Sequence, residues 1–149
     1  MNAKTRFLLF GALAVSLMAI PLAASAQDAA GLTGTIAIEL NRMEDTPNNG
    51  CRVFFVLNND TDVTLTALQP DIYVFGADGV ILRRMVFNAP PMPEGSQRAM
   101  ALDLADQSCS GIGRMLLNGV LLCETADGPR DDCWSALAAS SRASVSLDY

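Results

Sequence analysis

The sequence predicts an all-β fold, an antiparallel β-sandwich of about seven or eight short strands with one short helix near the C-terminus. Three observations lead to this prediction. Apolar residues alternate with period two in segment after segment, turn-forming residues separate those segments, and four cysteines suit a small domain closed by disulfides. Short strands with frequent turns between them are typical of a sandwich built around one core.

The first 26 residues are predicted to be a secretory signal peptide. Lys4 and Arg6 form a positive n-region, residues 7–20 are an apolar run, and residues 24–26 form a small-residue cleavage site. The run is too short for a comfortable membrane span, and no later segment approaches about eighteen unbroken apolar residues. We therefore predict a periplasmic or secreted protein with no membrane span after cleavage, and a single β-sandwich domain over residues 27–149.

The predicted mature chain is acidic. Residues 27–149 contain eight arginines, no lysine and sixteen carboxylates, which give a formal charge of −8 at neutral pH. Affinity for phosphate backbones comes mainly from cations, so this surface repels nucleic acid and anionic lipid. We expect neither as a partner.

The four cysteines are expected to form two disulfides in an oxidising compartment, because none has the CxxC spacing. Three pairings are possible. We favour Cys123 with Cys133, which closes a local loop, and Cys51 with Cys109, which ties an early strand to a late loop. On the loop-entropy model the short closure contributes about 3 kcal/mol and the long one about 4 kcal/mol. The alternative is that some of them are free buried thiols.

The alternating segments give the order of the strands. The predicted strands cover residues 35–40, 51–57, 63–68, 71–75, 80–87, 97–104 and 143–147. Residues 76–79 (Gly-Ala-Asp-Gly) predict a hairpin between two of them. Pro70 has no N–H to donate, so it predicts a sheet edge or a crossing between sheets. Residues 89–95 contain three prolines and predict an extended connection across one end of the domain.

Two further elements are predicted after residue 108. Asn118-Gly119 lies between two apolar runs and predicts a second hairpin with a two-residue type I′ turn, in which Leu117 faces Val120. Asp131 or Asp132 is predicted to cap a short helix that continues through Ala139, because a carboxylate there would accept otherwise unpaired backbone N–H groups.

The strand pattern of residues 52–104 carries a first resemblance. An apolar strand ends at Asn58, a second ends near the turn Asp78-Gly79, and a proline-glycine turn at residues 93–95 precedes the next strand. In these features the segment resembles the small immunoglobulin-like modules of bacterial envelope proteins, including the FxLYD type. The resemblance implies an immunoglobulin-like sandwich.

A second resemblance lies in the C-terminal half. Its features are Cys109-Ser110-Gly111-Ile112-Gly113-Arg114, Leu117-Asn118-Gly119, Cys123, Cys133 and Ser140-Ser141-Arg142. Here the chain is similar to a group of uncharacterised exported proteins of alphaproteobacteria, which are often labelled only by their signal sequence. This resemblance implies export, disulfides and a β-rich fold, and it implies no activity.

Few residues suggest catalysis. The sequence contains no histidine, which excludes Ser-His and Cys-His nucleophilic arrangements and most zinc, copper and haem ligation. Ser108 and Ser110 have no general base nearby in sequence and no GxSxG motif, so they are interpreted as turn residues. Cys123 and Cys133 lack the adjacent-thiol spacing of redox pairs. We therefore predict no catalytic residues, no bound cofactor and no enzymatic activity.

Three sets of side chains are candidates for ligand binding. Carboxylate and amide oxygens could bind calcium in the turn at residues 58–62 or among Asp127, Asp131 and Asp132, although neither run matches an EF-hand. Thioethers could bind cuprous ion at Met85, Met92, Met100 and Met115. Guanidinium groups could hold an acidic ligand at Arg83, Arg84, Arg98 and Arg114. Solvated turns, core packing and ion pairs explain the same residues more simply.

The functional prediction is therefore an exported, non-enzymatic module that binds an envelope protein or polymer through a sheet edge or through the proline-rich connection. The alternative is a periplasmic protein that binds a small ligand or a metal ion, calcium or cuprous ion.

Overall fold

The computed structural model of the protein describes residues 31–149, and the predicted signal peptide at residues 1–26 lies outside them. The strands are β1 (Ile36–Thr46), β2 (Gly50–Asn59), β3 (Leu65–Gly76), β4 (Ile81–Val86), β5 (Gln97–Leu104), β6 (Ile112–Thr125), β7 (Gly128–Pro129), β8 (Leu137–Ser141) and β9 (Ser146–Asp148). Two single 3₁₀ turns, Cys109–Gly111 and Cys133–Ala136, are the helical elements of the described chain. The predicted all-β class is confirmed.

Two sheets pack against each other. The first sheet has the order β5-β2-β1-β8, and the second has the order β4-β3-β6, with β7 and β9 both pairing along the far edge of β6. Fully buried side chains from both sheets form one core, among them Ile38, Phe55, Ile72 and Met115. Each such side chain contributes roughly 1.5–3 kcal/mol relative to an exposed one. The predicted sandwich is therefore confirmed.

The sequence predicted antiparallel strands, but two of the strand pairs are parallel. β8 runs parallel to β1, from the pair Ile36 and Leu137 onward, and β9 runs parallel to β6, from the pair Arg114 and Ser146 onward. Parallel neighbours need a long crossover between them. Here the rest of the fold supplies that crossover for β1 and β8, so local sequence patterns could not predict the direction.

The predicted hairpin at Asn118-Gly119 is wrong, because both residues lie inside the continuous strand β6. Neither has a positive φ. β6 follows β3 along nearly its whole length, and the pairing skips Asn118 and Leu121, each of which is an extra residue in a β-bulge. Burial of Leu117 and Cys123 against the first sheet therefore outweighs the local preference of Asn-Gly for a turn.

The predicted C-terminal helix is also wrong. It is reduced to the 3₁₀ turn Cys133–Ala136, and Leu137 begins β8. Asp132 does not cap the turn through its side chain. Two tertiary interactions take precedence over local helix formation, namely the disulfide at Cys133 and the pairing of β8 with β1.

The two segments predicted on either side of Pro70 form one strand, β3. Pro70 lies within it, next to a register shift against β6 and one residue before the first pair with β4, Asp71 with Val86. Its missing N–H is tolerated at this irregular position, so the predicted sheet edge or crossing there is wrong. The hairpin predicted at residues 76–79 is confirmed, since β3 and β4 pair antiparallel around it.

Candidate functional site

The cysteines form the two disulfides that we favoured from the sequence. Cys51 is bonded to Cys109 with a Cα–Cα distance of 4.8 Å, and Cys123 is bonded to Cys133 with a distance of 6.4 Å. No cysteine among residues 31–149 is free. All four sulfur atoms therefore serve as crosslinks in this structure.

Ser108 and Ser110 flank Cys109 at the 3₁₀ turn before β6. Their hydroxyl oxygens lie 3.3 Å apart and are exposed. No hydrogen bond found in residues 31–149 joins either hydroxyl to a carboxylate. The pair therefore has the contacts of turn residues.

The turn after β2, one of the two candidate calcium sites, uses its polar atoms internally. The Asn58 amide donates to the Asp60 carboxylate, and Asp62 Oδ1 accepts from the Thr33 backbone N–H at 3.2 Å. Within residues 31–149, no group of three or more histidine, cysteine, aspartate or glutamate side chains is placed to hold a metal ion. These oxygens therefore stabilise the turn.

Asn59, in the same turn, is completely buried and fastens the proline-rich connection. Its Nδ2 donates to the carbonyls of Val63 and Met92 at 2.8 and 2.9 Å and to that of Pro93 at 3.2 Å. Its Oδ1 accepts from the Thr61 hydroxyl at 2.6 Å. Every polar atom of the buried amide is thus paired, as burial requires, and the connection is held to the end of β2.

The second candidate calcium site is organised by Asp132 in the loop closed by the Cys123–Cys133 disulfide. Its carboxylate accepts from Arg130 Nε at 2.9 Å, from Arg130 Nη2 at 2.6 Å and from the Leu32 N–H at 2.7 Å. These bonds, with Arg130 contributing most, lower the pKa of Asp132 from 3.8 to about 2. Asp132 therefore ties the first described residues to this loop.

The candidate cuprous ligands are placed as core residues. Met92 and Met115 are fully buried and Met85 nearly so, while Met100 is half-buried at the border of the core. Unbranched thioether side chains fill irregular gaps of this kind. Packing accounts for their positions.

The four arginines proposed as an acidic-ligand cluster are divided by the structure. Arg84 Nε donates to Asp71 Oδ1 at 2.6 Å, and the Arg114 guanidinium lies 3.7 Å from the ring centroid of Phe75. These two already have partners, one ionic and one aromatic.

Arg83 and Arg98, by contrast, occupy inward-facing positions on two edge strands. Arg83 of β4 pairs with Val74, and Arg98 of β5 pairs with Leu57, and both of these apolar partners are fully buried. The Arg83 guanidinium donates to the Ala105 carbonyl at 2.9 Å, and Arg98 donates to a carbonyl next to it in sequence. Neither forms an ion pair among the described residues.

The outer edge of β4 is an uncovered sheet edge that carries exposed apolar side chains. β4 pairs with β3 on one side, and no described strand pairs with its other side. Of the seven large apolar side chains exposed in residues 31–149, four lie in β4 or directly before it: Val80 (59% exposed), Ile81 (52%), Leu82 (41%) and Val86 (42%). An uncovered edge offers unpaired N–H and C=O groups, and apolar side chains beside them favour pairing with another strand.

The edge of β5 lies on the same side of the sandwich. Residues 83–86 of β4 and 102–104 of β5 together line a groove of about 290 Å³. The bond from Arg83 to Ala105 joins the two strands across it. We call this space the edge groove.

An ion pair between a buried carboxylate and a half-exposed arginine holds β4 in place. Asp71 of β3 is only 2% exposed, and it accepts from Arg84 of β4 at 2.6 Å and from Asn118 of β6 at 3.0 Å. The Arg84 hydrogen bond is the largest cause of the lowered pKa of Asp71. The bulge at Asn118 thus supplies one of the two partners of a carboxylate that links three strands.

A larger cavity, of about 340 Å³, lies between the turn that joins β1 to β2 and the end of β5. Thr46, Asn48, Asp103 and Asp106 are among the residues that line it. Asp103 is already bonded to Arg52, at 2.6 and 2.9 Å. We therefore base no ligand assignment on this cavity.

Comparison with known proteins supports the fold. No protein-family model matches the chain, and no curated protein matches it in sequence. Among solved structures, the chain is similar to IrmA from Escherichia coli, with a TM-score of 0.56 and 13% sequence identity over 72% of this chain and 92% of IrmA. At this identity the similarity extends to the fold alone and supports the all-β sandwich.

The sequence predicts a sheet edge as a possible interaction surface but does not indicate which edge. Val80, Ile81 and Leu82 form a consecutive apolar run that follows the turn at residues 76–79. A buried strand would give the same pattern, so exposure could not be read from it. The available signal was the pair Arg83-Arg84, since charged side chains are frequent on edge strands.

Proposed function

We propose that this protein is an exported, non-enzymatic interaction module that binds an extended segment of an envelope protein along the outer edge of β4. The observation that carries the proposal is the concentration of exposed apolar side chains on one uncovered edge strand. Strand addition uses backbone hydrogen bonds for affinity and alternate side chains for specificity.

Several features support this choice over the proline-rich connection. Pro90, Pro91 and Pro93 are exposed, but the connection is anchored by the buried Met92, which exchanges two backbone hydrogen bonds of 2.9 Å with Leu65. Its backbone groups are thus partly used within the domain. The outer edge of β4 has no such pairing within residues 31–149.

The proposal includes export and an immunoglobulin-like form of the sandwich. Export is supported by the signal-like N-terminal sequence and by two disulfides, which persist in oxidising compartments. No helix in residues 31–149 is long and apolar enough to cross a membrane. The immunoglobulin-like form is supported by two packed sheets with mainly antiparallel pairs around one core.

Affinity capture from periplasmic extract tests the proposal. The wild-type chain is compared with Ile81→Ser/Val86→Ser, which removes two apolar side chains from the β4 edge, and with Leu121→Ser/Trp134→Ser, which removes two exposed apolar side chains elsewhere. We expect recovery of a specific partner to fall at least about fivefold for the first variant only. All three proteins should keep similar melting temperatures, because the altered positions are exposed.

Two outcomes would count against the proposal. One is recovery of no specific partner by the wild-type chain, with or without crosslinking. The other is an equal loss in both double variants, which would assign binding to a different surface.

A further inference from the structure

We infer that the segment bound at the β4 edge is selected by one apolar side chain, which enters the edge groove at the level of Met85. This inference rests on the proposed function and names the residues that determine its specificity. Two observations support it: the direction of the free backbone groups of β4, and the side chains that line the groove.

Two hydrogen bonds at the ends of the β3–β4 pairing fix which residues of β4 have free backbone groups. The Ala89 N–H donates to the Leu68 carbonyl at 2.9 Å, and the Val80 carbonyl accepts from the Gly76 N–H at 2.8 Å. Backbone groups of an antiparallel strand alternate in direction, and Leu82 is the extra residue of a bulge. The residues whose backbone N–H and C=O groups point away from β3 are therefore Ile81, Arg84 and Val86.

A strand that pairs with Arg84 and Val86 places one of its residues between them, opposite Met85. Side chains at the same level of neighbouring strands point to the same side of a sheet. Met85 points into the core, opposite Ile72 of β3. The partner's residue at this level therefore points into the edge groove, whereas its two neighbours lie on the outer face of the sheet.

The side chains that meet this residue are apolar. Met85 and Leu104 are buried, and Leu102 is half-buried at an inward position of β5, opposite the fully buried Val53. The groove volume of about 290 Å³ equals that of about ten water molecules in the liquid, which is room for one large side chain. An apolar residue there buries apolar surface without leaving a polar group unpaired.

The charged residues of the groove offer no competing anchor. Each is already bonded within the domain: Arg84 to Asp71, Asp103 to Arg52, and Arg83 to the Ala105 carbonyl. The last of these bonds crosses the groove at 2.9 Å. The next inward position of a bound strand lies opposite Arg83, so this bridge leaves room there only for a small side chain.

A second copy of this chain is a poorer occupant of the groove. Pairing of two β4 edges would bring together strands whose inward side chains are Arg83 and Met85. Both are already engaged in their own domain, Arg83 with the Ala105 carbonyl and Met85 in the core. Neither is free to enter the groove of the other copy. The occupant is therefore an extended segment of another protein with an apolar side chain to bury.

Three fluorescently labelled ten-residue peptides test the inference. They alternate threonine with serine and differ at one central position, which is leucine, asparagine or aspartate. Their binding to the predicted mature chain, residues 27–149, is followed by fluorescence anisotropy. We expect the leucine peptide to bind at least about tenfold more tightly than either polar peptide, because only leucine gains from burial in an apolar groove.

Variants locate the preference. Leu102→Ser removes one wall of the groove and should reduce the leucine-to-asparagine affinity ratio to within about threefold. Leu121→Ser, which removes an exposed leucine from β6, should leave the ratio unchanged. Circular dichroism checks that both variants are folded.

Arg83→Ala gives a test by gain of affinity. Without the bridge to Ala105, the groove should accept a second leucine two residues from the first. We expect the two-leucine peptide to bind this variant at least about fivefold more tightly than the one-leucine peptide, and to bind the wild-type chain within about twofold of it.

Equal binding of the leucine and asparagine peptides would overturn the inference and leave edge binding intact. So would an unchanged ratio in a folded Leu102→Ser variant. A wild-type dimer in sedimentation that Ile81→Ser/Val86→Ser abolishes would assign the edge to a second copy instead. Failure of all the peptides to bind would also overturn the inference, and the capture experiment would then decide separately on the proposed function.

Discussion

The edges of β4 and β6 belong to the same sheet but end it in different ways. The far edge of β6 is covered at one end by β9 and at the other by β7, and the stretch between them contains bulges at Asn118 and Leu121. Short covering strands and bulges are devices that discourage pairing with other chains. β4 has a bulge of its own at Leu82, but no strand among the described elements covers its outer edge. This difference is what makes the β4 edge the better candidate for recognition.

The largest expected effect comes from the two disulfides. Cys51–Cys109 fastens the 3₁₀ turn that follows β5 to β2 and spans 58 positions, whereas Cys123–Cys133 closes the loop beside β6 and spans 10. We expect Cys51→Ala/Cys109→Ala to lower the free energy of unfolding by about 4 kcal/mol and Cys123→Ala/Cys133→Ala by about 3 kcal/mol. Urea denaturation measures both. An equal or larger loss for the shorter loop would contradict the loop-length argument.

The second expected effect concerns the attachment of β4. Asp71→Ala leaves Arg84 and Asn118 without their carboxylate partner, so we expect a loss of roughly 2 kcal/mol in the free energy of unfolding. Hydrogen exchange of the β4 amides should also become faster. Asp103→Ala is the matched control, because its ion pair with Arg52 is exposed.

We expect the control to give a smaller loss of stability and unchanged exchange in β4. If both variants behaved alike, the ion pair of the buried Asp71 would not be what attaches this strand.

The smallest expected effect is acid sensitivity near β7. The pKa of Asp132 falls from 3.8 to about 2 on folding, so its ionised form stabilises the native state. This contribution is fully present above about pH 4 and is lost as the pH falls through about 2, and it amounts to at most about 2 kcal/mol because the side chain is partly exposed.

The wild-type chain and Asp132→Asn should therefore differ in stability at pH 7 and converge between pH 4 and pH 2. Chemical denaturation at fixed pH values measures the difference. A gap that stayed constant down to pH 2 would show that ionisation of Asp132 is not its cause.

The regularly alternating strands and the pairing of the cysteines could be predicted from the sequence. In the strand that contains Cys51, the inward positions Val53, Phe55 and Leu57 alternate without interruption and are fully buried. The turn at residues 76–79 lies between two apolar segments and predicts the hairpin that joins β3 to β4. With four cysteines, the local pair Cys123 and Cys133 leaves one partner for each of the others.

What could not be predicted depended on contacts distant in sequence. Leu117, Val120 and Cys123 face the core at intervals of three residues, because one bulge lies between each consecutive pair. A strand pattern that requires alternation with period two therefore breaks at Asn118-Gly119 and predicts two strands in place of one. The segment after Asp132 lost its predicted helix because Leu137 pairs with Ile36, about a hundred positions earlier. The candidate site was likewise hidden, since exposure of β4 depends on which strands fail to cover it.

The paired bulges of β6 also decide where one sulfur atom points. Each extra residue inverts the inside-outside parity of everything after it, and two of them restore it, so Met115 and Cys123 face the same way opposite Val74 and Leu68. If one bulge were replaced by regular pairing with no residue removed, Cys123 would face outward, away from Cys133. Formation of the Cys123–Cys133 disulfide thus depends on the number of bulges in β6, a strand that contains the turn-like dipeptide Asn118-Gly119.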